Sequence, residues 1–165
     1  MASWGNCDYR QLKRLRDNLA RLQSMDMERF CFTVSKELAA RLLALVIPRT
    51  PVGQYPKKSG KKGGTLRRGW TAKTQEEAAG GGGKVDAKAY AASLPIVKQG
   101  HRYTIQVINP VEYASYVEFG HRTRGGKGWV RGQYFLTLSE QDLERLAPAL
   151  IERKLEALLR EVFNV

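Results

Sequence analysis

Apolar positions along the chain change period from segment to segment, and each period predicts an element. Over residues 8 to 47, Tyr9, Leu12, Leu15, Leu19 and Leu22 recur at steps of three and four. That spacing is the stripe of an amphipathic helix, here ringed by Arg10, Lys13, Arg14, Asp17 and Arg21. A second stripe follows: Met27, Phe30, Val34, Leu38, Leu42 and Leu45. Gln23 and Ser24 mark either a break between two helices or a polar turn within one. Asp26 and Glu28 suit the positive end of a new helix dipole. Pro48 and Pro51 close the segment, because proline lacks an amide donor and restricts the residue before it.

Residues 48 to 64, rich in proline, glycine and lysine and without an acid, read as a loop. "TLRRGWTAK" then reads as a short strand, with Leu66 and Trp70 on one face and Arg67 on the other. Residues 74 to 88 hold four consecutive glycines and read as a mobile excursion. In "SLPIVKQGHRYTIQVIN", Tyr103, Ile105 and Val107 alternate with Thr104, Gln106 and Ile108. With Gln99-Gly100 before them, this predicts a β-hairpin. Asn109-Pro110-Val111-Glu112 has the form of a helix start, with Asn109 as cap and Pro110 in the first turn. That helix runs to Phe119 and stops at Gly120. "QYFLTL" fits a strand or the approach to a helix, and Ser139 with Asp142 forms a capping pair. Leu143, Leu146, Leu150, Ile151, Leu155, Leu158 and Val162 make a long helical stripe that Pro148 kinks or divides.

The order is helices, strands, helix. It predicts one α+β domain over residues 1–165, with N-terminal helices and a long C-terminal helix packed on a small antiparallel sheet. Flexible loops are expected at about 48–64, 74–88 and 121–128. The 165 residues and 42% hydrophobic content support a folded domain with a modest core. The net charge of +12 points to an acidic partner: nucleic acid, a membrane surface or an acidic protein. No apolar run approaches the roughly 20 residues that span a bilayer, and "MASWGNCDYRQLKRLRDN" lacks the apolar core of a secretory signal. Cys7 and Cys31 are expected as free or buried thiols rather than a disulfide.

Catalytic chemistry finds little purchase. "GGGGK" at 80–84 is followed by Val85, so it lacks the hydroxyl that holds magnesium in a phosphate-binding loop, and "GKK" at 60–62 fails in the same way. His101 and His121 lie at a turn and a helix end, and Cys7 and Cys31 lack zinc-ligand spacing. Glu112 and Glu118, six residues apart on a helix, point in different directions. They read as a capping acid and a surface or interface acid. No metal, cofactor or catalytic group is expected. The basic runs carry more information. Arg49 to Lys73 contains eight cations and no acid, and His121 to Arg131 adds Arg122, Arg124, Lys127 and Arg131. A charge run is usually a solvated face, but this density without acids favours an electrostatic role. Tyr55 and Trp129 are the aromatic residues placed to stack on bases, which favours backbone or protein contact over sequence reading.

Two segments carry a resemblance. "TPVG…GGTLRRGW" spans Thr50 to Trp70, and "VINPVEYASYVEFGHRTRGGKGWVRG" spans Val107 to Gly132. Together they resemble the small tail-component proteins of tailed bacteriophages and prophages, encoded between the head-completion and tail-tube genes. The first motif is matched by Thr50, Pro51, Val52, Gly64, Leu66, Arg67 and Trp70. The second is matched by Asn109, Tyr113, Ala114, Val117, Glu118, Gly120 and His121. The chain departs from the pattern in the lysine- and glycine-rich insertion at 53–63, and in Gly69 where a small polar residue is usual.

The resemblance implies a non-enzymatic structural protein of the virion, assembled in the bacterial host cytoplasm. It implies a homo-oligomeric ring, typically sixfold, at the head–tail junction or tail end, in a neck, tail-completion or tail-terminator role. Neighbouring head-completion and tail-tube proteins are the implied partners. Passing DNA and a DNA-contacting accessory role form the alternative raised by the charge, and a metal-dependent nuclease is a weaker one. Within the ring reading, Arg67, Arg68, Glu118, His121, Arg122, Arg124, Lys127 and Arg131 are expected at contacts between subunits or with DNA. Thr50, Pro51, Leu66, Trp70, Asn109, Tyr113, Ala114, Val117, Gly120 and Trp129 are expected as structural positions, Trp129 anchoring the far end of the basic loop. The acids of the C-terminal helix, Glu140, Asp142, Glu144, Glu152, Glu156 and Glu161, offer a neighbouring subunit's basic loops a counter-surface.

Overall fold

A computed structural model describes residues 10–22, 27–60, 63–81 and 86–163. The expectations placed on Cys7, Tyr9, Gln23, Ser24 and Asp26 lie outside these residues. Helix α1 spans Arg10–Arg21 and α2 spans Met27–Arg49. Short helices follow: α3 (Thr65–Gly69), α4 (Gln75–Ala79) and α5 (Ala87–Ser93). Strands β1 (Ile96–Gln99) and β2 (Arg102–Ile105) precede α6 (Ala114–Phe119), and β3 (Gly120–Arg122) and β4 (Trp129–Arg131) precede α7 (Phe135–Phe163). The α+β class holds, with two two-stranded antiparallel sheets in place of a single small one.

Helix α2 is covered on several sides. It packs on α7, α5 and β2. Its most buried residues are Val34, Ala39, Leu43 and Val46, a face rotated from the predicted stripe. Helix α7 runs antiparallel to it. Arg49 pairs with Asp142, and Lys154 pairs with Glu37 at 2.8 Å, so the pairs lie twelve residues apart on each helix in opposite directions. Leu43, Val46, Leu66, Trp70, Val111 and Phe135 centre the core. Trp70 meets Phe135 edge to face at 6.2 Å between ring centroids.

The first hairpin follows its alternation. Ile96 pairs with Ile105 and Gln99 with Arg102, so Gly100 and His101 form the turn, Gly100 at φ 61°. Tyr103 lies edge-on to Phe32 of α2 at 5.6 Å, and Ile105 and Val107 pack against the core.

Several expectations are corrected. "TLRRGWTAK" opens with helix α3, not a strand. Leu66 and Trp70, four apart, share a face in either structure, and the helix brings Gly69 to the same buried side. Residues 74 to 88 contain α4 and the start of α5. Thr74 accepts from the Glu77 amide at 3.2 Å, Glu77 accepts from the Lys73 amide at 2.8 Å, and Asp86 accepts from the Ala89 amide at 3.1 Å. These are ordinary N-terminal caps in a stretch whose glycines suggested otherwise. The first helical segment closes between Pro48 and Pro51 as expected: α2 ends at Arg49, one residue past Pro48, and the Thr50 amide still reaches the Val46 carbonyl at 2.9 Å. Pro148 does not divide α7, and Ser139 is no cap. It is buried inside that helix and donates to the Phe135 carbonyl at 2.6 Å. The amphipathic helix expected over the first stripe is present as α1; its Leu12, Leu15 and Leu19 are about half exposed, as is Leu146 of α7.

Candidate assembly surface

Both family-like motifs meet in one frame around the end of α2 and the start of α7. Thr50, fully buried, donates its hydroxyl to the Val46 carbonyl at 2.7 Å and accepts the Trp70 indole N–H at 2.7 Å. The Arg67 guanidinium donates to the Thr50 carbonyl from Nε at 3.0 Å and from Nη2 at 2.7 Å, and to the Pro48 carbonyl at 3.2 Å. It caps the negative end of α2, where carbonyls lack helical partners. Arg68 donates to the carbonyls of Ala78 (2.8 Å) and Gly63 (3.2 Å), tying α4 and the preceding loop to α3. Arg67 and Arg68, expected at contacts, are therefore spent inside the subunit.

Asn109 joins the two motifs. Its Nδ2 donates to the Leu66 carbonyl at 2.8 Å, and its Oδ1 accepts the Val111 amide at 3.2 Å. The predicted cap of α6 thus folds its own turn, and α6 begins later, at Ala114. A Cβ on Gly69 would collide with the Asn109 carboxamide and the Val111 side chain. The departure at this position removes an atom where the two motifs close on each other.

Glu118 is the largest correction. Its residue is 3% exposed. Its carboxylate accepts the amides of Leu136 and Thr137, each at 2.9 Å, and the Thr137 hydroxyl at 2.7 Å. It therefore caps α7 across the chain, at the end where amides lack partners and negative charge is favoured. Backbone bonds tighten the same joint: the Gln133 amide to the Val117 carbonyl at 2.9 Å, and the Tyr134 amide to the Glu118 carbonyl at 3.1 Å. Gly120 (φ 87°) faces the Val130 carbonyl, and Gly132 faces the Glu118 carbonyl, too closely for a Cβ on either.

From this joint projects a hairpin where a flexible loop was expected. His121 pairs with Val130 and Arg122 with Trp129. Its turn closes through the Thr123 amide to the Gly128 carbonyl at 2.9 Å and the Gly128 amide to the Thr123 hydroxyl at 3.0 Å. Arg122, Arg124, Lys127 and Arg131 are exposed and take part in no ion pair among the described residues. Trp129 is 63% exposed, with its indole nitrogen beside Gly120. His121 is half-buried, its ring edge-on to Tyr116 at 5.9 Å.

The aromatic residues beside the hairpin were missed as surface groups. Ala114 and Val117 turn one face of α6 to the core. Tyr113, Tyr116 and Phe119 lie at steps of three on another face and are exposed, with Tyr134 and Leu138 exposed at the start of α7. Tyr113, expected as a structural position, borders an open cleft with Tyr55, Val52 and Gln133. Partial desolvation there, and then the neighbouring Tyr55, raise its phenol's pKa. The sequence signal was available: a six-residue helix with apolar side chains on two faces can bury only one against a single core. Among the described residues, no three His, Cys, Asp or Glu side chains come together as a metal site. No described helix is long and apolar enough to cross a membrane.

An α+β frame closed by buried polar caps, carrying one exposed cationic and aromatic hairpin, is a scaffold built to present a surface. Residues 13–120, about two-thirds of the chain, match the model of the family described as "Bacteriophage HK97-gp10, putative tail-component". The chain belongs to that family, and so to the tail components of bacteriophages. No curated protein and no solved structure gives a significant match.

Proposed function

We propose that the chain is a non-enzymatic structural subunit of the virion, forming a homo-oligomeric ring at the head–tail junction or the tail end. Neck, tail-completion and tail-terminator roles all fit such a ring, and sixfold symmetry is the expectation. Membership of a tail-component family supports the tail role. The observation that carries the reading further is the β3–β4 hairpin, which offers Trp129 and four cations beside an aromatic face on a rigid base. Exposed Trp, Tyr and Arg together make the composition of interface hot spots, and a large exposed apolar patch marks a docking face. Head-completion and tail-tube proteins are the partners this surface is proposed to meet. Electron microscopy of particles carrying a label on the chain tests the reading. Label confined to the head–tail junction or tail end is expected; label spread along the tail or over the capsid refutes it.

The hairpin also favours contact with passing DNA as a second reading, because residues 119 to 139 carry four cations and no acid. Four phosphate contacts give a slope of about −3.6 in log K against log salt on duplex DNA. Absence of binding at low salt removes this reading and leaves the first intact.

A further inference from the structure

A second surface pair lies away from the hairpin. A groove of about 700 Å³ runs along α2 between α5 and α7. Lys36, Arg41, Lys88 and Lys154 line it, with Glu37 the one acid in its lining. Glu37 is held by Lys154 at 2.8 Å and Arg41 at 3.1 Å, and those bonds lower its pKa, Lys154 being the larger cause. Four cations against one carboxylate leave the groove in net excess of positive charge. Lys88 is exposed and in no ion pair among the described residues. Between the cations, Ala40, Ala44 and Ala92 keep the floor low.

The counter-surface is on α7 itself. Glu152, Glu156 and Leu159 follow at steps of four and three, so they form one ridge. The two glutamates are exposed and unpaired among the described residues, and Leu159 is 38% exposed. Lys154 lies two residues from each glutamate, about 200° around the helix at 3.6 residues per turn. Groove and ridge therefore occupy opposite sides of α7, and neither can close on the other within one molecule. Nor can the subunit's own hairpin cover the far ridge. Its tip reaches at most about 20 Å from Gly120 at ~3.3 Å per residue. Glu156 lies about 32 Å along α7 from Phe135 at 1.5 Å per residue.

We infer that the α7 ridge of one copy docks in the α2–α5–α7 groove of the next. Glu152 and Glu156 meet the cations of the rim, and Leu159 meets the alanine floor. Two different patches on opposite sides give a heterologous, head-to-tail contact, the kind that generates rings when the rotation closes. Arg153 and Arg160 border the ridge and reduce its charge, so the attraction acts at contact range and is screened by salt. The inference rests on the ring reading and names the contact between its subunits; the hairpin is left for the partners above, below or within the ring.

Sedimentation velocity on the full chain tests it, using Lys88→Glu for the groove and Glu152→Lys/Glu156→Lys for the ridge. All three positions are exposed, and circular dichroism checks the fold. Wild type is expected to assemble. Each variant alone should associate at least tenfold more weakly. An equimolar mixture of the two should recover assembly, because the altered groove meets the altered ridge and the native groove meets the native ridge. Wild type that stays monomeric at every concentration overturns both the contact and the ring reading. Variants that assemble like wild type overturn the contact alone. So does a Lys88→Glu chain that assembles normally but loses affinity for duplex DNA, which makes the groove a polyanion site instead.

Discussion

Replacing Glu118 separates a frame residue from a contact residue. From sequence, Glu118→Ala should leave the monomer folded and weaken assembly. From structure it should unfold the joint. Alanine removes a charged acceptor from three donors: the Leu136 amide, the Thr137 amide and the Thr137 hydroxyl. Hydrogen bonds to charged groups contribute about 1.5–3 kcal/mol each, and an unsatisfied buried donor costs about 1–3 kcal/mol. Losing a helix cap costs about 0.5–2 kcal/mol. These overlap because the two amides are the cap, so the total is about 4 kcal/mol rather than the sum. At about 2–4 °C per kcal/mol for a chain of this size, Tm falls by about 8–16 °C. Glu118→Gln keeps one carbonyl acceptor but turns an amide donor toward an amide donor, and should fall midway. Thermal melts followed at 222 nm, at several protein concentrations, separate the fold from assembly-linked stabilisation. Glu118→Ala melting within about 2 °C of wild type while failing to assemble would refute the capping argument and return the carboxylate to the surface.

Three further outcomes follow from the same frame. Thr50→Val keeps the shape but leaves the Trp70 indole N–H unpaired, and should cost about 1–3 kcal/mol in urea unfolding with the slope unchanged. Gly132→Ala drives a Cβ toward the Glu118 carbonyl and should destabilise by about 1–3 kcal/mol, whereas Gly125→Ala at the open turn strains only the hairpin tip; equal melts for the two would remove the close-approach argument. Asp142 has its pKa lowered by hydrogen bonds from Arg49 first and Arg145 second. Its contribution is complete above its unfolded value, near pH 4, and is lost as pH falls through the lowered folded value. Tm should therefore drop less steeply below pH 4 in Asp142→Asn than in wild type, and parallel curves would mean that the ion pair is absent in solution.

What the sequence revealed and what it hid divide along physical lines. The Tyr103–Ile105–Val107 alternation was legible because a strand's period is local and one face is buried on α2. The end of α6 at Gly120 was legible because a positive φ restricts the residue type. Trp70 was placed correctly in the core because a large apolar side chain has few alternatives. The roles of Arg67, Arg68 and Glu118 were not legible. Each satisfies backbone groups that are orphaned elsewhere in the chain, and nothing in a local charge pattern records which distant helix end lacks partners. The α3 stretch failed for a different reason: two apolar residues four apart satisfy both periods. The long glycine run masked the Thr74 and Asp86 caps on either side of it.

The division of labour among the motif residues follows from helix ends. Thr50 and Arg67 finish α2, Asn109 fixes α3 against the turn before α6, and Glu118 starts α7. Every one is polar, and every one hydrogen-bonds backbone groups at a helix end or turn. Changing such a residue breaks a cap before it can alter a partner. The hairpin's Arg122, Arg124, Lys127 and Trp129 are exposed, and the three cations enter no ion pair among the described residues, so changing them costs the fold less than changing a cap. The polar motif residues therefore hold the frame from which the hairpin projects.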